Sequence, residues 1–332
     1  MSATFFIHQV ILCMIPLMIV ALAGAFAEHS GIINLALEGG MIFGAFIGAV
    51  FCIQMKDTGV AALSSTSQLT YFLALLVSAL AGALFSLLLS FSAINMEADQ
   101  TIAGTALNML APAIVNTFGL LLFHQERIYT ACTFVLTKEL SYSNMPKFQQ
   151  AVTDSPFLQF FFDKVYISTY LVILLFILLS VWLYKSKTGT HLRACGENPQ
   201  AAASVGINVY RMRYLGTTIS GALAGLGGFV YIATEAAVTA ESSVAGLGFL
   251  ALAIMIFGNW KPLTIALGAL LFGFIQCVGV LHSQIPFMSS WKLPFYFYNM
   301  LPYIIILIVL ILTHRKSGMP KAEGIPYDKG KR

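Results

Sequence analysis

Repeated runs of about 20 apolar residues govern what this chain can become. At about 1.5 Å per residue, a helix needs that length to cross the roughly 30 Å hydrocarbon core of a bilayer. Such runs are read at 5–27, 31–53, 70–92, 101–123, 165–184, 214–233, 243–258, 262–281 and 294–313. The alternation of a membrane β-strand, in segments of about 10 residues, is absent. The expected fold class is therefore all-α: a polytopic transmembrane helical bundle of about 9–10 spans. Composition agrees, with 58% hydrophobic and 10% charged residues over 332 positions. A soluble domain carries roughly 25% charged residues, so too little polar surface exists here to cover a water-soluble globule.

The first run ends in AGAFA, a small-residue pattern that resembles a leader cleavage site. No Lys or Arg precedes it, and it exceeds the roughly 7–15 apolar residues of a leader, so a retained helix is expected. Five scattered cysteines (Cys13, Cys52, Cys132, Cys195 and Cys277) show neither metal spacing nor a disulfide framework. No connection is long enough for a separate soluble core. No phosphate-binding G-x-x-x-x-G-K-[ST] loop occurs, so any ATP would be bound by another chain.

Basic residues concentrate in two places. Lys185, Lys187, Arg193, Arg211 and Arg213 lie in 185–214; Arg315, Lys316, Lys321, Lys329, Lys331 and Arg332 lie in the tail 314–332. That is 11 of 18 basic residues, and the positive-inside rule places both segments in the cytoplasm. The connection 124–164 balances four basic against four acidic residues and fits the outer side. Trp260 with Lys261, and Trp291 with Lys292, read as membrane-edge anchors on opposite sides.

Within the first basic segment, GENPQAAASVGI (196–207) is a punctuated polar element in an oily chain. Asn198 is a favoured N-cap, Pro199 suits the first helical position and Gly206 suits the stop. Glu197 sits where a negative charge favours the positive end of the dipole. The expected result is a knob about 10 Å long. Its alanine body lets another protein's groove approach closely and lacks the Leu, Phe or Trp of a lipid-binding face.

The run GENPQAAASVGINVYRMRYLGTTISGALAGLGG (196–228) resembles the cytoplasmic coupling loop and following helix of ABC-importer permeases in the branched-chain amino acid and sugar group. GIINLALEGGMIFGAFIGA (31–49), EADQTIAGTALNML (97–110), GFLALAIMIFGNWKPLTIALGALLFG (248–273) and GIPYDKG (324–330) are similar to the nucleoside and simple-sugar permeases, most of all to the shorter member of the pair. His29 and Gly40 depart from the Arg and Met usual there. The resemblance implies a single permease domain over 1–313, with a coupling loop at about 185–214 and a basic cytoplasmic tail over 314–332. It also implies ATPase coupling through Gly196, Glu197, Asn198, Pro199, Ala201, Ala202, Gly206 and Ile207. Implied partners are a cytoplasmic ABC ATPase holding ATP and magnesium, a second homologous permease, an external solute-binding protein and membrane lipid, with no nucleic acid. This chain would be non-catalytic and hold no cofactor of its own. It would reside in the bacterial inner membrane and move a nucleoside or simple sugar.

Glu38 is the one charged residue deep inside a predicted span, where a charge costs about 2.5–3.5 kcal/mol. Asn34 lies one turn earlier on the same predicted helix face. Gly39 and Gly40 follow and can let the backbone open, and broken helices commonly line transport sites. Two readings stand: Asn34 and Glu38 offer hydrogen bonds to solute, or Glu38 is tied to backbone amides of a broken helix. Asn108 and Gln276 are further candidates, with helix-to-helix adhesion as the other reading. The spacings Gly44-x-x-x-Gly48 and Gly221-x-x-x-Gly225 predict close helix packing. Two other functions are weighed. An ion-coupled transporter would use Glu38 as proton carrier but leave the 196–207 knob unexplained. A membrane enzyme would pair Glu38 with His29, yet nine residues place them on opposite helix faces.

Overall fold

The computed structural model describes residues 3–57, 68–130, 134, 165–234, 239–282, 294–312 and 318–328. Its helices are α1 (Ala3–His29), α2 (Leu37–Asp57), α3 (Gln68–Ser90, continued by a π turn over Phe91–Asn95), α4 (Gln100–Phe123), α5 (Ile167–Lys185), α6 (Lys187–Glu197), α7 (Pro199–Ser204), α8 (Val209–Thr234), α9 (Leu247–Phe257), α10 (Pro262–Val280) and α11 (Phe295–Leu312). A two-residue strand β1 (Ile128–Tyr129) pairs antiparallel with β2 (Thr239–Ala240). Among the described residues, seven helices (α1, α2, α3, α4, α5, α8 and α10) are long and apolar enough to cross a membrane. Each of the nine predicted runs contains a helix, but two begin late. Residues 31–36 precede α2 without helix, and α9 has only 11 residues. At about 1.5 Å per residue α9 covers little more than half a bilayer core.

Small residues decide how these helices meet. Gly216 of α8 packs on Phe26 and Ser30, and Gly227 on Pro16, Ile19 and Val20, so α1 and α8 run antiparallel. Gly44 of α2 touches the backbone of Gly225, and Gly48 meets Phe229, so α2 runs parallel to α8. On the other side of α8, Gly221 meets Ser86 and Gly225 meets Ser78 of α3. Both predicted glycine spacings are thus spent on contacts inside the chain, where a Cβ would collide with neighbouring backbone or side chain. Helix α1 runs through the middle, with every residue from Ile15 to Glu28 buried.

The periphery is apolar. Met109 on α4 and Leu263 on α10 are 78% and 75% exposed. Such surface is stable only against lipid or another apolar chain.

The last turn of α1, the π turn after α3, the end of α5, α6, α7, the start of α8 and the turn between α9 and α10 share one end of the bundle. His29 and Tyr184 reach the Trp260 carbonyl, Tyr214 reaches Asn95, and Gly196 packs on the His29 backbone. Trp260 corrects one expectation: it is not a membrane-edge anchor but is 4% exposed, its indole N–H donating to the Glu28 carboxylate. Cys132, Trp291 and Lys292, most of 124–164, and the tail's Arg315, Lys316, Lys329, Lys331 and Arg332 lie outside the described residues.

Candidate functional site

The punctuated element forms as its residues dictate. Asn198 is in extended conformation, its Oδ1 accepting from the Ala201 N–H at 3.0 Å, and Pro199 opens α7. Gly206 stops it at φ +85°, with the Ile207 N–H donating to the Ala202 carbonyl at 3.1 Å. Gln200, Ala201, Ser204 and Val205 face outward, Val205 being 74% exposed. Ala202 does not: it is buried with Cys195, Val209 and Tyr327, because the helix is seated on its own chain through that face. Glu197 closes α6 rather than joining α7. Burial pushes the Cys195 thiol up to about 11.

The seat beneath α7 is built from α6 and the tail. Gly196 of α6 lies so close to the His29 carbonyl that a Cβ there would collide. Its own carbonyl accepts from the Ala322 N–H at 2.8 Å. Residues 318–328 then run as a strap across this end. The Gly324 N–H donates to the Gly31 carbonyl at 3.2 Å, Arg213 Nη2 to the Ile325 carbonyl at 2.9 Å, and Gln200 Nε2 to the Asp328 carbonyl at 2.9 Å. Tyr327 meets Tyr210 edge to face, with ring centres 5.3 Å apart. The Gly318 N–H donates to Asn259, fastening the strap to the α9–α10 turn. Burial pushes the Glu323 carboxyl up to about 7, against a hydrogen bond with Glu28 that pulls it down. Basic charge and the family-like GIPYDKG run mark this tail in the sequence, but neither says that it packs. Pro326 and Tyr327, unusual in a solvated basic tail, are the signal that marks it as packed.

In the bundle interior, α2 and α9 begin close together. Glu38, on the first turn of α2, accepts from the Gly246 N–H through Oε1 at 3.0 Å and from the Gly248 N–H through Oε2 at 2.6 Å. A carboxylate at a helix N-terminus satisfies donors that have no partner within the helix and complements the dipole. From α4, Asn108 Oδ1 accepts from the Gly39 N–H and Nδ2 donates to the Leu35 carbonyl, both at 2.7 Å. Gln100 Oε1 accepts from the Ile33 N–H at 2.7 Å.

Asn34 is not on a helix face with Glu38; it lies in the non-helical segment before α2. Its Nδ2 donates to Ser220 Oγ at 2.8 Å and its Oδ1 accepts from the Ala36 N–H at 3.0 Å. The opening in the backbone precedes the glycine pair instead of falling on it. Gly39 and Gly40 are helical, and they allow close approach to α4 and to Ala224. Asn34, Glu38 and Asn108 are thus gathered around one helix break, each bonded to protein. Gln276 stands apart on α10, lining a cavity of about 580 Å³ with Gln9 and Tyr231. His29 bonds the Trp260 turn, not Glu38.

A family model described as "Branched-chain amino acid transport system / permease component" matches residues 6–312. The chain belongs to this permease family. The guanosine ABC transporter permease protein NupQ of Bacillus subtilis is 39% identical over 320 residues, covering 96% of this chain and 94% of the relative. The nucleoside ABC transporter permease protein NupC of Lactococcus lactis is 37% identical, covering 95% and 94%. A second protein of that bacterium, the nucleoside ABC transporter permease protein NupB, is 24% identical, covering 93% and 80%. The permease is accordingly a multi-pass membrane protein, the non-catalytic membrane component of an ABC transport system that works with an ATPase and a binding protein. The ion-coupled and enzymatic readings of Glu38 are not favoured.

Proposed function

We propose that this permease is one of two homologous membrane subunits of an ATP-driven importer that carries a nucleoside across the bacterial inner membrane. The nucleoside assignment draws on the names of its relatives. An external binding protein delivers the solute. The α7 end and the C-terminus face the cytoplasm, where the basic segments 185–214 and 314–332 favour them. ATP and magnesium sit on a separate ATPase, which grips the exposed Ala201 and Val205 face of α7. Gly196, Glu197, Asn198, Pro199 and Ala202 build and seat that helix, and Gly206 and Ile207 end it. ATP binding then shifts the inward–outward equilibrium of the membrane helices, which requires that the ATPase engage the two states with different affinity. Pairing with a second permease is supported by the match of two nucleoside permeases from one bacterium.

The observation that carries this reading is the mounting of α7. Its outward face is exposed, while its other face is fixed to α6, α8 and the strap, so force on it reaches the helix ends beneath. The test is reconstitution of the permease with its co-purifying partners in proteoliposomes. ATP-dependent guanosine accumulation that needs the binding protein is the expected result. Accumulation driven by a proton gradient without ATP would overturn the proposal.

A further inference from the structure

The cavity of about 580 Å³ lies in the half of the bundle away from α7. Its walls are Gln9 on α1, Tyr231 near the end of α8, Gln276 on α10 and Tyr303 on α11; Leu247, in the first turn of α9, forms its floor. Each helix contributes the portion farthest from the end that carries His29, Val209 and Trp260. The volume falls within the roughly 300–1,000 Å³ of small-molecule sites.

The chemistry of the lining is selective. Among the described lining residues none is Asp, Glu, Lys, Arg or His. An ionic solute would give up its hydration there with no opposite charge in return, which is strongly unfavourable. Against these described residues zwitterionic amino acids and nucleotides are poor occupants. What the lining does offer is phenol rings, whose faces suit a planar ring, and side-chain amides, which present donor and acceptor together. The complementary ligand is neutral, bears a flat ring and carries hydroxyls.

The floor is held in place. Glu38 bonds the Gly246 and Gly248 amides just beneath it, and Tyr303 donates to the Ala245 carbonyl at 2.5 Å. At the other end of α9, the Trp260 turn is bonded to α1, α5 and the strap. A solute in the cavity thus rests on one end of the same short helix whose other end meets the platform under α7.

We infer that this recess between α1, α8, α9, α10 and α11 is a solute-binding site of the permease, taking an uncharged nucleoside on its tyrosine faces and its Gln9 and Gln276 amides. The inference rests on the nucleoside importer reading above.

The experiment uses the complete complex in proteoliposomes at saturating binding protein. Gln276→Leu and Gln9→Leu remove an amide while keeping bulk. Each is expected to lower guanosine uptake about 10-fold, the scale of one lost hydrogen bond. The photoprobe 8-azidoguanosine should label α1, α8, α9, α10 or α11 peptides, and guanosine, but not leucine, should compete. Labelling confined to other elements, or full guanosine uptake by both variants, overturns the recess while leaving the importer reading intact. Failure of the wild-type complex to accumulate guanosine with ATP sinks the nucleoside reading itself, and the inference with it.

Discussion

Glu38 illustrates how a buried charge is resolved at the residue scale. Both carboxylate oxygens accept from amides at the start of α9, so the cost of burial is offset by donors that would otherwise lack partners. Glu38→Ala leaves the buried Gly248 N–H unmet, at about 1–3 kcal/mol, and the half-buried Gly246 N–H without its partner. The variant is expected to lower the thermal unfolding temperature of the purified complex markedly, and Glu38→Gln, which keeps one acceptor, to lower it less. Unchanged stability in Glu38→Ala would show that the carboxylate does not hold α9. Glu323 allows a second prediction, on pH. Docked, its carboxyl titrates near 7, above the 4.5 usual for the free side chain. Between those values the docked strap holds the extra proton, so docking is complete below about 4.5 and weakens as pH rises through 7. Amide exchange at Ala322 and Gly324, corrected for the intrinsic pH dependence, should accelerate over that window in the wild type. Glu323→Gln should flatten the profile. That Glu38 and Asn108 needed partners was legible from their place in apolar runs. Which atoms they bond was not, because Gly246 lies 208 positions away from Glu38.

At the scale of elements, α7 and α9 contrast. The short helix α7 is written in local punctuation, with cap, proline and terminal glycine all acting within a few residues, and it forms where those residues place it. Which of its alanines is outward was decided elsewhere, by the α6 and strap surfaces that cover Ala202. Ala201→Trp should therefore leave the permease folded while abolishing ATP-dependent uptake, whereas Ala202→Trp should loosen the platform itself. Limited proteolysis alongside uptake separates the two, and equal protease resistance in both variants would contradict the seating described. Helix α9 shows the opposite case. Its apolar run reads as a span, yet the first residues, Ser243 to Gly246, remain outside the helix. Backbone leaving a helix inside a membrane protein must find partners in protein. Glu38 supplies them to α9, as Asn108 and Gln100 do for the segment before α2, and a hydropathy pattern cannot register them.

Across the whole molecule, the helix directions put α7 at one end of the bundle and the β1–β2 pair, which joins the far ends of α4 and α8, at the other. Sidedness is therefore testable with two cysteines in a Cys132→Ser background. Val205→Cys should react with a membrane-impermeant maleimide only after the inner face is opened, and Tyr129→Cys in intact cells. Cys195, buried and with its thiol raised to about 11, should stay unlabelled at neutral pH. Labelling of Val205→Cys from outside would reverse the orientation. By itself the sequence determined the helical class, the position of nearly every span, the existence of α7 and the glycine stripes along which α2, α3 and α8 meet. Those properties depend on residues within a turn or two of each other, or on burial of apolar surface that any lipid-spanning helix requires. Only the tertiary structure decided that the basic tail is a strap, that Trp260 turns inward, that Glu38 caps a helix far along the chain and that a neutral recess lies above it. Each of these depends on a partner brought near by the packing of whole helices, and the identity of such a partner leaves no trace in the spacing of neighbours.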